Sequence, residues 1–195
     1  TYASCVEQPG ACIFWALSAL NGMKVLGADA GNAFGEAPPP VEPFYMSIDE
    51  QFRTWWTEYL GNDPIPEGSV LPVNHALQGH PEAPRLWEKH IVKILGNLGF
   101  KSTTHKKCIY QKTIDGEKVL FLRQVDNFAV SCRQPAIAPA VIRQVGKQLT
   151  VPLHDLGTLT KFNGVDISQT RDYIKISCQS LLNKVIKQHG WDEII

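Results

Sequence analysis

The sequence predicts an α+β domain built on a mainly antiparallel sheet. Three observations carry that prediction. Strand-like runs at 109–113 and 118–125 flank Asp115-Gly116, a dipeptide suited to a tight hairpin turn. A third run at 128–132 follows after Asp126-Asn127 alone. Along the chain the order is helices, strands, helix, hairpin, helix, which is the pattern of α+β rather than of a parallel α/β sheet.

The elements follow in order. Residues 11–21 form an apolar helix stopped by Asn21-Gly22, and 23–28 a short strand ending at Asp29. Pro38, Pro39, Pro40 and Pro43 then exclude a regular helix. Residues 44–48 are extended. Asp49 is an N-cap for a helix to about Leu60, and 61–68 form a loop. A short strand at 70–73 precedes a helix over 82–98, with Leu86, Trp87, Ile91, Ile94, Leu95 and Leu98 at three- and four-residue spacing. After the three hairpin strands, 136–149 form a helix with proline in its first turns. Residues 162–168 and 173–178 alternate apolar and polar side chains as two strands, and 179–189 close the chain as a helix.

Composition narrows the function classes. The chain has 195 residues, 44% hydrophobic and 19% charged, which excludes a disordered or low-complexity protein. The longest apolar stretch, 11–20, is too short to span a membrane and lacks the basic flank of a signal peptide. Five cysteines with no CxxC pair argue against a disulfide framework and a zinc ribbon and imply a reducing compartment, and Cys5 and Cys12, seven apart, read as buried thiols rather than metal ligands. The net charge is zero, but residues 1–98 carry 5 basic and 11 acidic side chains and residues 99–195 carry 14 and 8. A basic half of this kind suits a polyanion.

Two aspartates sit at strand ends. Asp29 follows a strand directly, and Asp126 lies where two apolar strands meet. Two readings stand for Asp126-Asn127. One is turn chemistry, since Asp and Asn tolerate the positive φ of a two-residue loop. The other is metal binding, since carboxylates at the ends of neighbouring strands can hold two divalent ions for phosphoryl transfer. Between them in sequence, residues 75–87 form a glycine loop feeding a helix, a junction whose amides can face a nucleotide.

Together these blocks resemble the reverse transcriptase of copia-type retrotransposons. The family's D-x-x-N-A-F block is matched by Asp29, Asn32, Ala33 and Phe34. Its A-L-Y-G-L-K-Q-S-P-R-A-W block is matched by Ala76, Leu77, Gly79, Pro84, Arg85 and Trp87 at the same spacing, with Gln78 at the tyrosine. Its Y-V-D-D block appears as Gln124-Val125-Asp126-Asn127, and its F-L-G block as Phe162-Asn163-Gly164.

The resemblance implies an RNA-directed DNA polymerase from a retrotransposon polyprotein. The implied fold is a polymerase palm with a ferredoxin-like sheet, with fingers and palm over 1–178 and the start of a thumb over 179–195. It implies Mg2+ (or Mn2+) held by Asp29 and Asp126, with Asn127 at the remaining catalytic position. Phe34, Gln78 and Gly79 would meet the incoming nucleotide, and Phe162, Asn163 and Gly164 would grip the primer. Lys161 would contact nucleic acid. Arg85 would contact the template backbone or pack the palm helix. Trp87 reads as core. The implied partners are an RNA or DNA template with primer, dNTPs, and the RNase H and integrase segments of the polyprotein. No membrane is involved, and the implied location is a cytoplasmic virus-like particle.

Two departures stand out. Asn127 replaces the family's second aspartate and Gln124 its tyrosine, so one negative charge is missing where metal would bind. Thr1-Tyr2-Ala3 resembles the segment that follows the family's fingers, so a partial fingers region is expected.

Overall fold

A computed structural model describes residues 5–191. The resemblance drawn on residues 1–3 lies outside them. The helix α1 (Gln8–Leu20) begins three residues earlier than expected, because Pro9 suits a helix's first turn. It leads into β1 (Lys24–Ala30) and a single turn, α2 (Ala33–Glu36). The next segment holds β2 (Tyr45–Ser47), α3 (Glu50–Thr54) and β3 (Val70–Pro72). Asp49 caps α3 as expected, its Oδ1 accepting from the Phe52 amide at 2.7 Å. The helix does not stay regular to residue 60. It widens to a π turn over Trp55–Tyr59, where the Leu60 amide reaches back to the Trp55 carbonyl.

The rest of the chain holds α4 (Ala83–Asn97), β4 (Lys101–Ser102), β5 (Ile109–Ile114), β6 (Glu117–Gln124), β7 (Asn127–Cys132) and α5 (Ile137–Gly146). It closes with β8 (Leu153–Thr158), β9 (Lys161–Phe162), β10 (Val165–Gln169), β11 (Ile174–Ser177) and α6 (Gln179–Gln188). The sequence reading had no strand at β8, because only one short alternation precedes Gly157. It also ran β9 and β10 together. Asn163 and Gly164, both at positive φ, break that run into a hairpin with Val165 paired to Phe162.

The main sheet is antiparallel in the order β4-β5-β6-β7-β1-β8. Among its elements and the packed helices, β1, α4, β6, β7, α5 and β8 follow one another in β-α-β-β-α-β order, with the strands side by side as β8-β1-β7-β6 and β8 at the sheet edge. Both sheet faces are buried, and the strand period of two sorts the side chains between them. On one face Ala28, Ala30, Phe121, Phe128 and Val130 pack with Trp87, Ile91 and Leu95 of α4 and Val141 and Val145 of α5. On the other, Val25, Leu120, Leu122 and Ala129 pack with Phe14 and Trp15 of α1 and with Phe162 and Ile167 of the small β9–β11 sheet. There the buried Ser131 hydroxyl donates to Ser18 Oγ at 2.7 Å, and the Ser18 hydroxyl donates to the Phe14 carbonyl at 2.8 Å.

All five cysteines are free. Cys108 and Cys132 are buried, and burial raises both thiols. Cys178 is exposed, and so are Cys5 and Cys12, against the expectation of buried thiols at those two positions. For Cys12 the reason is that α1 turns Phe14, Trp15 and Ser18 inward instead. Among the described residues no helix is long and apolar enough to cross a membrane.

Gly27 on β1 marks a close approach. A Cβ there would lie 2.6 Å from Leu159 Cγ and 2.7 Å from its Cδ2. Leu159 is itself buried and has little room to move. Gly27→Ala is expected to cost about 1–3 kcal/mol, read from the denaturant midpoint. An unchanged midpoint would show that Leu159 yields freely.

Candidate active site

The β6–β7 turn consists of Val125 and Asp126, with Gln124 paired to Asn127. This corrects the expected Asp126-Asn127 loop by one residue. The reason is register. Phe128, Val130 and Cys132 must face α4 and α5, and a one-residue slip would turn them to the opposite face. The positive φ therefore falls on Val125, at 55°, a conformation that strains a β-branched residue by about 1–3 kcal/mol. Two hydrogen bonds hold it there. The Trp87 indole N–H donates to the Val125 carbonyl at 2.7 Å, and the Ala30 amide donates to the Asp126 carbonyl at 2.9 Å. Trp87 is fully buried, as its reading as core required, and it also fixes this turn.

The turn sets Asp126 beside Asp29. Asp29 lies near the end of β1, paired across to Asn127 on β7 and to His154 on β8. Ala28 and Ala30 face α4 and α5, so Asp29 points to the other face. Gln124, Asn127, Asp29 and His154 thus form one polar row across four strands. Burial pushes the Asp29 carboxyl above the ordinary aspartate range, the Asp126 charge adds to that rise, and His154 opposes it. Asn127 Nδ2 donates to Asp126 Oδ1 at 2.9 Å. The Asn127 amide therefore answers one carboxylate as a neutral donor, where a third carboxylate would repel it.

Among the described residues no three His, Cys, Asp or Glu side chains cluster as a metal cage. Two mutually repelling, half-buried carboxylates nevertheless suit magnesium. That ion takes one or two protein carboxylates and completes its octahedron with water and phosphate oxygens.

Phe34 sits on α2, half-buried against the α4/α5 core, close after Asp29 in the chain. The position of α2 depends on Glu36, which the sequence reading overlooked. Its buried carboxylate accepts from the Thr150 and Val151 amides at 3.1 Å and from the Thr150 hydroxyl, and it faces His90 Nε2 at 3.4 Å. A Glu in the first turn after a left-handed Asn32 carried no such signal in one dimension.

Burial works to raise the Glu36 carboxyl. The Thr150 hydroxyl, the Thr150 and Val151 amides and His90 outweigh it, so the group titrates below the ordinary glutamate range. Its stabilisation is therefore present above the unfolded-state value of about pH 4 and lost as pH falls through the lower folded value. Glu36→Gln is expected to flatten acid unfolding over that window. Glu36→Ala should cost about 2–4 kcal/mol at neutral pH through the donors left unpaired. Identical acid titrations of the wild type and Glu36→Gln would show the contact to be inert.

The other expected site residues are placed as follows. Gln78 and Gly79 lie exposed in the loop before α4, and the Ala76 amide ties that loop to the Ala37 carbonyl just after α2. Arg85 is half-buried and pairs with Glu82, the residue just before α4. Phe162 is buried against Trp15, with ring centres 6.0 Å apart, and belongs to the core. Asn163 and Gly164 form the exposed tip of the β9–β10 turn, and Lys161 is exposed beside them. The structure thus brings Asp29, Asp126 and Asn127 together, while Phe34, five residues after Asp29, packs on the α4/α5 side of the sheet. The 76–79 loop is tied to the end of α2.

Residues 59–193, more than half of the chain, match the family model described as reverse transcriptase (RNA-dependent DNA polymerase). That region holds Gln78, Asp126 and Phe162 but not Asp29, which is tied to the site by its register with Asn127. The chain is also similar to the "Putative transposon Ty5-1 protein YCL074W" of Saccharomyces cerevisiae, at 26% identity over 120 residues. The alignment covers 61% of this chain and 38% of the yeast protein, so the chain spans well under half of that relative.

Proposed function

This chain belongs to the copia-type reverse transcriptase (RNA-dependent DNA polymerase) family, and from that premise we propose that it is the polymerase palm of a retrotransposon polyprotein, extending a primer on an RNA or DNA template. The observation that carries the reading is the pairing of Asp29 with Asn127, which sets Asp29 and Asp126 at one end of adjacent strands. The β8-β1-β7-β6 strand order supports a ferredoxin-like palm within residues 1–178, with 179–195 as the start of a thumb.

Asp29 and Asp126 would hold Mg2+ or Mn2+. When bound, the ion supplies charge neutralisation at the phosphates and activation of the attacking oxygen. The chain's own residues do the rest by positioning, which carries much of the rate in phosphoryl transfer. The half-buried Phe34 ring, just beyond Asp29, offers an apolar floor to the incoming sugar. The exposed Gln78-Gly79 loop offers amide and side-chain donors to the nucleotide. The Asn163-Gly164 tip and Lys161 would meet the primer strand. Arg85, held by Glu82, supports the template side through α4. In the full polyprotein, RNase H and integrase segments would act beside it, in a cytoplasmic particle.

A second reading is favoured by one observation. The Asn127 amide donates to Asp126, which lowers the site's demand for a cation. On that reading the chain is a catalytically impaired relic that keeps the fold and binds nucleic acid through its basic half. Primer extension on an RNA template with dNTPs and magnesium separates the two. Extension that Asp29→Ala abolishes supports the polymerase. Silence from the unaltered chain, with extension by Asn127→Asp, supports the relic.

A further inference from the structure

The polar row beside Asp29 contains one residue that neither the family blocks nor the proposed mechanism uses, His154. Its place depends on an irregularity in β8. From Gly27↔Gly157 the pairing steps to Ala28↔Asp155, so Leu156 is an extra residue and β8 bulges. Gly157 takes φ 65°, and its amide donates to Asp155 Oδ1 at 2.8 Å, closing the bulge locally. Without the extra residue, Ala28 would pair with Leu156 and Asp29 with Asp155. Two carboxylates would then face each other across the strands, in a site that already holds Asp126. The bulge instead puts an imidazole opposite Asp29 and sends Asp155 one step along. His154 is exposed and makes no hydrogen bond to another described residue, so its ring N–H is available. Among the described residues, the other cross-strand neighbour of Asp29 is Asn127, whose amide is turned to Asp126.

Resting on the polymerase reading, we propose that His154 holds a phosphate oxygen of the primer strand next to Asp29. The chemistry that fits is an N–H donor to a phosphodiester, the kind of contact that sets the position of a nucleic acid without reading its sequence. Phosphate there could come from the primer or from the nucleotide's triphosphate. The primer is favoured by the sheet face. β8 leads from His154 to Lys161 and the Asn163-Gly164 tip, and Phe162 of that hairpin packs on the face to which Asp29 points, whereas Phe34 packs on the α4/α5 face.

The test measures binding of a fluorescent primer–template by anisotropy in EDTA, then the KM for dNTP with magnesium, for the unaltered chain, His154→Ala and His154→Gln. Thermal midpoints of all three serve as the fold control. His154→Ala is expected to weaken primer–template binding about fivefold, the scale of one hydrogen bond, with dNTP KM unchanged. His154→Gln, which keeps an N–H donor, is expected to restore most of it. Unchanged binding in His154→Ala overturns the proposal. So does a raised dNTP KM with unchanged binding, which would assign the contact to the triphosphate. Because binding is read without metal or turnover, it stands apart from the polymerase reading, which fails if Asp29→Ala extends primers as well as the unaltered chain does.

Discussion

Asn127→Asp is expected to raise primer extension about 100-fold, the scale of one electrostatic group placed at developing charge. The present site offers a cation two carboxylates and an amide that already donates to Asp126. The substitution removes that donor and adds a third negative charge in register with Asp29. It should carry a cost when no cation is present. Three carboxylates would repel at a half-buried site where Asp29 is already pushed up by burial and by Asp126. The metal-free variant should therefore melt lower than the unaltered chain, by about 1 kcal/mol, and recover in millimolar magnesium. Extension assays with Asp29→Ala as the blank, together with melting curves with and without magnesium, check both halves. Equal extension by both chains would mean that the neutral amide at Asn127 serves the site as well as a carboxylate.

Trp87 should show the largest loss of stability. The ring is fully buried between α4 and the sheet, so Trp87→Ala is expected to cost about 3–5 kcal/mol from lost burial and the cavity left behind. Trp87→Phe is the more informative variant. It keeps most of the apolar volume but deletes the indole N–H that holds the Val125 carbonyl at 2.7 Å. Val125 keeps its positive φ only while its surroundings impose it, and a buried carbonyl without a donor costs about 1–3 kcal/mol. The turn would then relax and carry Asp126 with it. Extension should fall by a larger factor than the modest drop in melting temperature explains. A Trp87→Phe chain with normal extension would show that Ala30 alone holds the turn.

The same two residues show why the site was only partly legible in one dimension. Asp29 and Asp126 stood out because each ends an apolar run, and a carboxylate in that place is a local signal. Trp87 read correctly as core from its three- and four-residue spacing, yet its second task was invisible. The Val125 carbonyl is 38 residues away, and no local pattern couples them. Glu36 carried no signal in the sequence, because its donors come from Thr150 and Val151, more than a hundred residues on.

By itself the sequence determined most element types, β8 and the π turn at Trp55–Tyr59 aside, because helix and strand periods, caps and turn dipeptides are local properties of a few neighbours. Asp49 capping α3 and Asp115-Gly116 turning the β5–β6 hairpin follow from that. It also determined the family, because four blocks in order carry more information than any single residue. The tertiary structure alone decided the pairing of distant strands. The one-residue shift of the Val125-Asp126 turn, the split of β9 from β10 and the bulge that sets His154 against Asp29 are all questions of register. Register is settled by which face of each strand must meet α1, α4 or α5, a constraint that exists only once the sheet has closed around its core.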